Sequence, residues 1–394
     1  MTDIVELFSG RDPGRPFDPS GELARLVTAE PVKPMAYPRG ETGWLVTSHT
    51  GVRTVLSDPR FTARAELVNI PMARAVVEPQ PAPPGMFIQN DPPEHTRYRH
   101  LLTGEFTVRR MRRLTERIEQ LTTEYLDGME RREAPVDLVE AFAYPIPAQV
   151  IGELLGVAAD DRAVFQTMVE DLVAAEDPER VQSGMARITE FMTGLVTAKR
   201  SRPTDDLLSG LAGNPELTDA ELGNIAFMLL GAGVGTTANM LSLGVFALLQ
   251  HPRQLAAWRD DPELTNNAVE ELLRYLSIAP GTIRAALEDV EIDGVLIRKG
   301  ESVTASISAG NRDAAHFDDP DELDLQRRTG GHLAFGHGVH QCLGQQLARV
   351  EMRVAFPALF QRFPSLRLAV EPEDVPLTTD NSLIGARRLP VVWD

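Results

Sequence analysis

The sequence predicts a mainly helical α+β fold in one domain, residues 1–394. Three observations carry this. Helically spaced apolar residues dominate from residue 94 to 276. Short β-branched runs are confined to 41–49 (ETGWLVTSH) and 290–307 (VEIDGVLIRKGESVTASI). The 29 prolines are scattered, and no Gly/Ser linker, charge block or repeat divides the chain.

Composition narrows the class. Hydrophobic residues make up 43% and charged residues 24%, as in a soluble globular protein. A single cysteine excludes an intramolecular disulfide. The opening MTDIVELFSGRDPGRPFD lacks a basic region followed by an apolar core, so no signal peptide is expected. The net charge of −18 argues against nucleic acid or an anionic membrane as partner, and the cytoplasm is the expected location.

Taken in order, the run at 41–49 reads as a strand. The stretch 79–93 (PQPAPPGMFIQNDPP) has too many prolines for regular structure and reads as a long loop. It carries Met86, Phe87 and Ile88, which suits a loop over a binding pocket. The longest periodic element is LTDAELGNIAFMLLGAGVGTTANMLSLGVFALLQHP. Thr218 and Glu221 form a capping-box pattern at its start, and His251-Pro252 stops it. At 1.5 Å per residue such a helix spans roughly 48 Å, the width of a domain. No charge occurs from Ile225 to Gln250, yet Gly231, Gly233, Gly235, Thr236, Thr237 and Asn239 interrupt the apolar run and no basic flank orients it. A helix buried in the core is therefore expected rather than a membrane span. Its glycines suit either close helix packing or a flat ligand against the backbone. Further on, Asp293-Gly294 and Lys299-Gly300 mark turns between short strands.

The only cysteine lies in LAFGHGVHQCLG, residues 333–344. A lone cysteine is usually a small buried hydrophobe. Here His332, His337, His340 and Cys342 fall close together, which raises the possibility of zinc. Zinc explains neither Phe335 nor Gly336, Gly338 and Gly344, and no paired Cys-x-x-Cys or His-x-x-x-His is present. A planar macrocycle explains them, because glycines let the backbone pass close beneath a flat ring. Leu343, Leu347, Val350 and Val354 then form a helical stripe. Cys342 would sit at a helix N-terminus, where the dipole favours an anionic sulfur.

The pattern Phe335-Gly336-x-Gly338-x-His340-x-Cys342-x-Gly344 resembles the haem-binding signature of the cytochrome P-450 superfamily, the haem-thiolate monooxygenases. The resemblance covers nearly the whole chain. It implies a single helical prism with a small β-rich side, and haem b between residues 225–240 and the Cys342 loop. Glu271-Leu272-Leu273-Arg274 matches the family's Glu-x-x-Arg helix, with Arg327 as third member of a structural charge network. His95 and Arg99, four apart in DPPEHTRYRHLL, resemble the family's propionate-binding helix, and Arg284 and His340 match further propionate contacts by position. His332 is a further candidate, though its place in the pattern does not demand such a contact. Ala232-Gly233-x-x-Thr236-Thr237 resembles the oxygen-binding helix, which gives Ala232 a place against the cofactor and Thr236 and Thr237 catalytic hydroxyls. Gly235 departs from the pattern, since the family usually has an acid before this threonine.

The implied reaction inserts one oxygen atom of O2 into a C–H or C=C bond of a hydrophobic organic substrate, such as a polyketide or macrolide of secondary metabolism. Oxidative coupling and peroxide-driven oxidation are alternatives on the same site, and a non-catalytic haem sensor is an alternative of another class. The expected pocket comprises Phe87, Ile88, Met228, Ala232, Gly235, Ile283, Leu383 and Ile384. No flavin- or nicotinamide-binding motif is evident, so the resemblance implies a separate ferredoxin and ferredoxin reductase, acting on a monomer. Arg97, Arg99, Arg109, Arg110, Arg112, Arg113 and Arg117 could steer an acidic ferredoxin.

Overall fold

The 32-residue helix Asp219–Gln250 is the axis of the fold in the computed structural model, which describes residues 14–37, 40–71, 79–105, 108–173, 177–378 and 383–394. Most of the N-terminal stretch read for a signal peptide lies outside these residues. The predicted capping box forms: Thr218 Oγ1 accepts from the Glu221 N–H at 3.2 Å, and Glu221 Oε2 accepts from the Thr218 N–H at 2.7 Å. Pro252 ends the helix by opening the next, Pro252–Asp260.

This axis packs against helices Pro145–Leu155, Pro178–Ser201 and Gln345–Arg362. It is long and apolar enough to cross a membrane, but 67% of its most apolar window is buried inside the fold. Two of its glycines are packing positions. A Cβ on Gly233 would come 2.5 Å from Ile151 Cδ1, and one on Gly244 would run into the Phe356 ring. The largest apolar core extends from Phe17 to Val391, and two smaller clusters lie under the β-rich side.

The β-rich side is a five-stranded sheet in the order Val32–Ala36, Thr42–Val46, Ser302–Ser306, Gly281–Ala286, Phe61–Thr62. Thr42–Val46 and Ser302–Ser306 run parallel, and the other neighbours are antiparallel. The strand expected over 41–49 stops at Val46, because Ser48 caps the helix His49–Ser57 by accepting from the Gly51 N–H at 3.0 Å. Asp293 and Gly294, with φ of 47° and 79°, turn the hairpin Val290–Ile292 to Val295–Ile297. The proline-rich loop is irregular except for a single 3-10 turn, Phe87–Gln89.

Helix Thr265–Leu276 holds the segment that leads to the cysteine. Glu271 and Arg274 are both 0% exposed and share two hydrogen bonds of 2.8 Å. Arg327 Nε donates to Glu271 Oε1 at 3.1 Å. Arg274 also donates to the carbonyls of Asn311 and Pro320 at 2.8 Å and of Glu322 at 3.1 Å. Every strong donor and acceptor of the pair is thereby used, as a buried ion pair requires.

One buried carboxyl has no such support. Glu351, 1% exposed on helix Gln345–Arg362, leaves Oε2 without a partner, and burial raises its pKa from 4.5 to about 8.

Two stability predictions follow from these contrasts. Glu271→Ala strands Arg274 in the core and should lower the unfolding free energy by about 3–5 kcal/mol, read from urea melts. Glu351→Gln should do the opposite. The raised folded-state pKa means the native protein favours neutral Glu351, so the wild type loses stability as pH rises from 4.5 towards 8. The urea midpoint of Glu351→Gln should match wild type near pH 4, exceed it increasingly up to pH 8, and keep a constant lead above that; a pH-independent difference would contradict the reading.

Candidate active site

Cys342 is held by the loop that begins at Leu333. Asn311 Oδ1 accepts from the Leu333 N–H at 2.7 Å, which ties the loop to the carbonyl network of Arg274. Gly336 and Gly338 have φ of 69° and 72°, where only glycine is unstrained. A Cβ on Gly338 would also collide with the carbonyl oxygen of Leu56. The loop closes when the Cys342 N–H donates to Phe335 O at 2.9 Å.

A second clamp was invisible in the sequence. Glu270, next to Glu271, accepts from His332 Nε2 at 3.0 Å and from Arg349 at 2.7 and 2.9 Å. Burial opposes charge on Glu270, but the bonds from His332 and Arg349 outweigh it and hold its pKa at about 2. Glu270 thus grips both sides of the cysteine loop. His332 is spent here, and Phe335 lies 4.5 Å beneath the Arg349 guanidinium. His337 instead faces Arg53 at 3.4 Å, and His340 turns to His95. Among the described residues no group of three or more His, Cys, Asp or Glu side chains is placed to hold a metal ion, so the zinc alternative lacks a ligand set.

The thiol sits deep in the fold, yet its surface is open. Burial raises the Cys342 pKa, while the N–H groups of Gly344 and Gln345 and the charges of Arg99 and Arg349 act to lower it. The helix beyond begins at Gln345, with Gly344 as its cap residue.

His95, Arg99, Arg284 and His340, drawn from three distant segments, meet in one cluster. The His95 and His340 rings are 4.2 Å apart. His95 is 2% exposed, and neither of its ring nitrogens has a partner; nor has His340 Nδ1. Burial, then the charges of Arg284, His95 and Arg99, push the His340 pKa down to about 3. Burial lowers the pKa of Arg99, and that of Arg284 to about 10, where Asp91 acts against it. Asp91 itself is engaged by Thr62 Oγ1 at 2.5 Å and the Ala63 N–H at 2.9 Å. Neither arginine has an ion-pair partner among the described residues. Two cations and unpartnered ring nitrogens in a desolvated cluster fit a bound dianion, which is the charge of two propionates.

The middle of the axial helix opens to the surface again after a largely buried stretch. Gly231 and Ala232 are exposed, and Gly235 and Thr236 are half-buried, between long buried stretches. Nothing lies within 4 Å of a Cβ built on Gly231, and only Leu383 Cδ1, at 3.6 Å, approaches one on Gly235. Thr236 Oγ1 donates to Ala232 O at 2.7 Å. Thr237 is buried, which leaves it little surface for an occupant.

Several pocket expectations need correction. Phe87, Met228 and Ile384 are packed into the core; Phe87 lies against His95, ring centres 6.0 Å apart, and the Ile384 N–H donates to Ile278 O at 2.8 Å. Ile88, Ala232, Gly235, Ile283 and Leu383 retain open surface. The arginine cluster is also largely neutralised. Arg97 pairs with Glu221, Arg110 with Glu105, Arg109 and Arg113 with Asp205, and Arg117 with Glu153, while Arg99 belongs to the buried cluster. Arg112 alone of the seven is exposed with no ion pair among the described residues.

The sequence profile of the cytochrome P450 family matches residues 180–391. Cytochrome P450 105C1 from a Streptomyces species is 49% identical over 383 residues, 96% of each chain. Pentalenic acid synthase from Streptomyces avermitilis is 40% identical over 382 residues, 96% of this chain and 95% of that one. The crystal structure of CYP105P1 in complex with filipin I superposes with a TM-score of 0.90 at 41% identity, covering 97% of this chain and 98% of that one. With haem carried between its axial helix and the loop of a cysteine thiolate, the chain belongs to the cytochrome P450 family of oxygen-incorporating oxidoreductases.

Proposed function

We propose that this enzyme is a tailoring monooxygenase for a hydrophobic secondary metabolite of polyketide or macrolide type. The observation that carries this is the meeting of an open Cys342, an unneutralised Arg99–Arg284–His95–His340 cluster and an open, apolar helix face at Ala232–Gly235. One similar protein is named a pentalenic acid synthase and another is solved with filipin I bound, which supports a secondary metabolite as substrate.

When bound, haem supplies reductive activation of O2, with the thiolate donating electron density. The protein's part is to hold and shield. Cys342, the single cysteine of this chain, would bind the iron. Arg99 and Arg284 would compensate the propionates, with His95 and His340 as hydrogen-bond partners. Ala232 would flank the cofactor and Thr236 would supply the hydroxyl facing it; burial removes Thr237 from that role. Ile88, Ile283 and Leu383 line the substrate space. Glu271, Arg274 and Arg327 act only as framework. Electrons come from a separate ferredoxin and its reductase, with Arg112 as the unpaired cation left for docking. The large core spanning Phe17 to Val391 supports a single domain, residues 1–394. We read it as a cytoplasmic monomer.

Cys342→Ser should abolish the red-shifted carbonyl band of the reduced protein together with oxidation, because an alcohol is a far poorer anion donor. Retention of that band would remove Cys342 from its role. Arg99→Ala with Arg284→Ala should lower the haem-to-protein ratio after gel filtration. The same double variant should leave the apoprotein's urea midpoint unchanged or raised, since two desolvated, unpaired cations are lost. A destabilised apoprotein with normal haem retention would mark these arginines as framework instead.

A further inference from the structure

Oxygen insertion consumes protons. The balanced step is R–H + O2 + two electrons + two protons giving R–OH + H2O, with the electrons supplied by the redox partner. One C–H bond becomes C–O–H, and the second oxygen atom leaves as water. Both protons must cross the substrate space.

Among the described residues, the segments around that space hold no ionisable proton donor. Residues 222–250 contain no acid, histidine, lysine or arginine, and neither do 281–283 or 383–386, the two segments bearing Ile283 and Leu383. The one hydroxyl on the open face, Thr236 Oγ1, gives its hydrogen to Ala232 O at 2.7 Å and so offers only lone pairs outward. An isolated water is poorly held there. Ordered water needs two to four polar partners, and Thr236 Oγ1 is the one side-chain partner on this face, since Ala232, Gly235, Ile283 and Leu383 provide none by their side chains.

Space, by contrast, is available. The nearest atom to a Cβ built on Gly235 is Leu383 Cδ1 at 3.6 Å, so a ligand group can reach the helix surface at that point. We infer that the substrate carries its own proton relay: a hydroxyl close to the carbon that is oxidised, seated beside Gly235 within reach of the Thr236 oxygen. The rest of the apolar substrate anchors this hydroxyl where a free water has too few partners. The hydroxyl gives its proton towards the reacting oxygen and regains one from solvent, so both protons come from water and the substrate's alcohol is not consumed. Gly235 is then a specificity-determining position, since a larger side chain would occupy the hydroxyl's place.

This rests on the monooxygenase reading, and the test separates the two. Cyclododecanol and cyclododecane serve as probes, turned over with a surrogate ferredoxin and reductase, and the quantity read is product formed per reduced nicotinamide consumed. Calorimetric affinities for both probes correct for occupancy. Native enzyme should couple cyclododecanol about 10-fold or more better than cyclododecane at equal occupancy, a smaller effect than the roughly 100-fold at which acid–base contributions typically begin. Gly235→Glu places a carboxylic acid where the hydroxyl would sit and should raise coupling with cyclododecane. Gly235→Ala, which adds a carbon but no proton donor, should not. Equal coupling of the two probes by native enzyme overturns the inference, as does a Gly235→Glu variant that binds cyclododecane without better coupling. Loss of the red-shifted carbonyl band in the native protein would instead count against the monooxygenase reading itself.

Discussion

The buried Glu271–Arg274 ion pair is the constraint from which the position of the cysteine follows. Two charges at 0% exposure are tolerable only if their remaining donors and acceptors are satisfied, and the chain between Asn311 and Arg327 supplies those partners. That requirement fixes the path of an otherwise irregular segment. Asn311 passes the constraint on, holding Leu333 with one side-chain atom and Ser277 with another at 2.9 Å. Glu270, one residue earlier on the same helix, then grips His332 and Arg349 on either side of the loop. Adjacent glutamates on one helix thus set where the loop starts and where the helix after it lies. A loop without regular hydrogen bonding becomes as well defined as a strand.

Electrostatics at the cofactor site run the other way. The framework ion pairs are complete within the protein, whereas Arg99 and Arg284 are not. Burial depresses both arginines and both histidines of their cluster, and it raises the thiol of Cys342. Each shift records an interaction that the polypeptide alone leaves unfinished. A dianion compensates the arginines and a metal cation favours the thiolate, so binding a group with both features converts several local penalties into binding energy. Contrast between satisfied and unsatisfied buried charge therefore separates scaffold from site without reference to any relative.

Much of this was readable from the residues. The capping box of the axial helix, its stop at Pro252, the Asp293-Gly294 hairpin and the cysteine loop are local patterns, and local patterns survive folding. His95 and Arg99 were readable because a four-residue step puts them on one helical face. What the sequence concealed depends on encounters between distant segments. The seven arginines look like one basic patch until Asp205, Glu153 and Glu221 arrive from other parts of the chain to neutralise most of it. Phe87 looks like pocket lining because it sits in a proline-rich loop, and only tertiary packing shows it turned onto His95. Glu270 carries no signal beyond its neighbour, since nothing in VEELLR distinguishes a carboxylate that pairs at once from one that waits for Arg349.

The glycines of the axial helix show how closely two unlike requirements can be interleaved. Glycine in a helix costs about 1 kcal/mol relative to alanine wherever it stands, so each must be compensated. At Gly233 and Gly244 the compensation is packing, because Ile151 and Phe356 occupy the space a side chain would need. At Gly231 nothing lies within 4 Å of that space and at Gly235 only Leu383 Cδ1 touches it, so the helix surface there is left for what the enzyme binds. Spacing separates the two kinds only partly: Gly233 lies two residues from each open glycine, which in a helix turns it towards a different neighbour. One face of a single helix is thereby bonded into the core while another, one step round, stays open to cofactor and substrate. The rigidity of the first makes the openness of the second sustainable, since a helix anchored along most of its length need not collapse into the space beside Gly235.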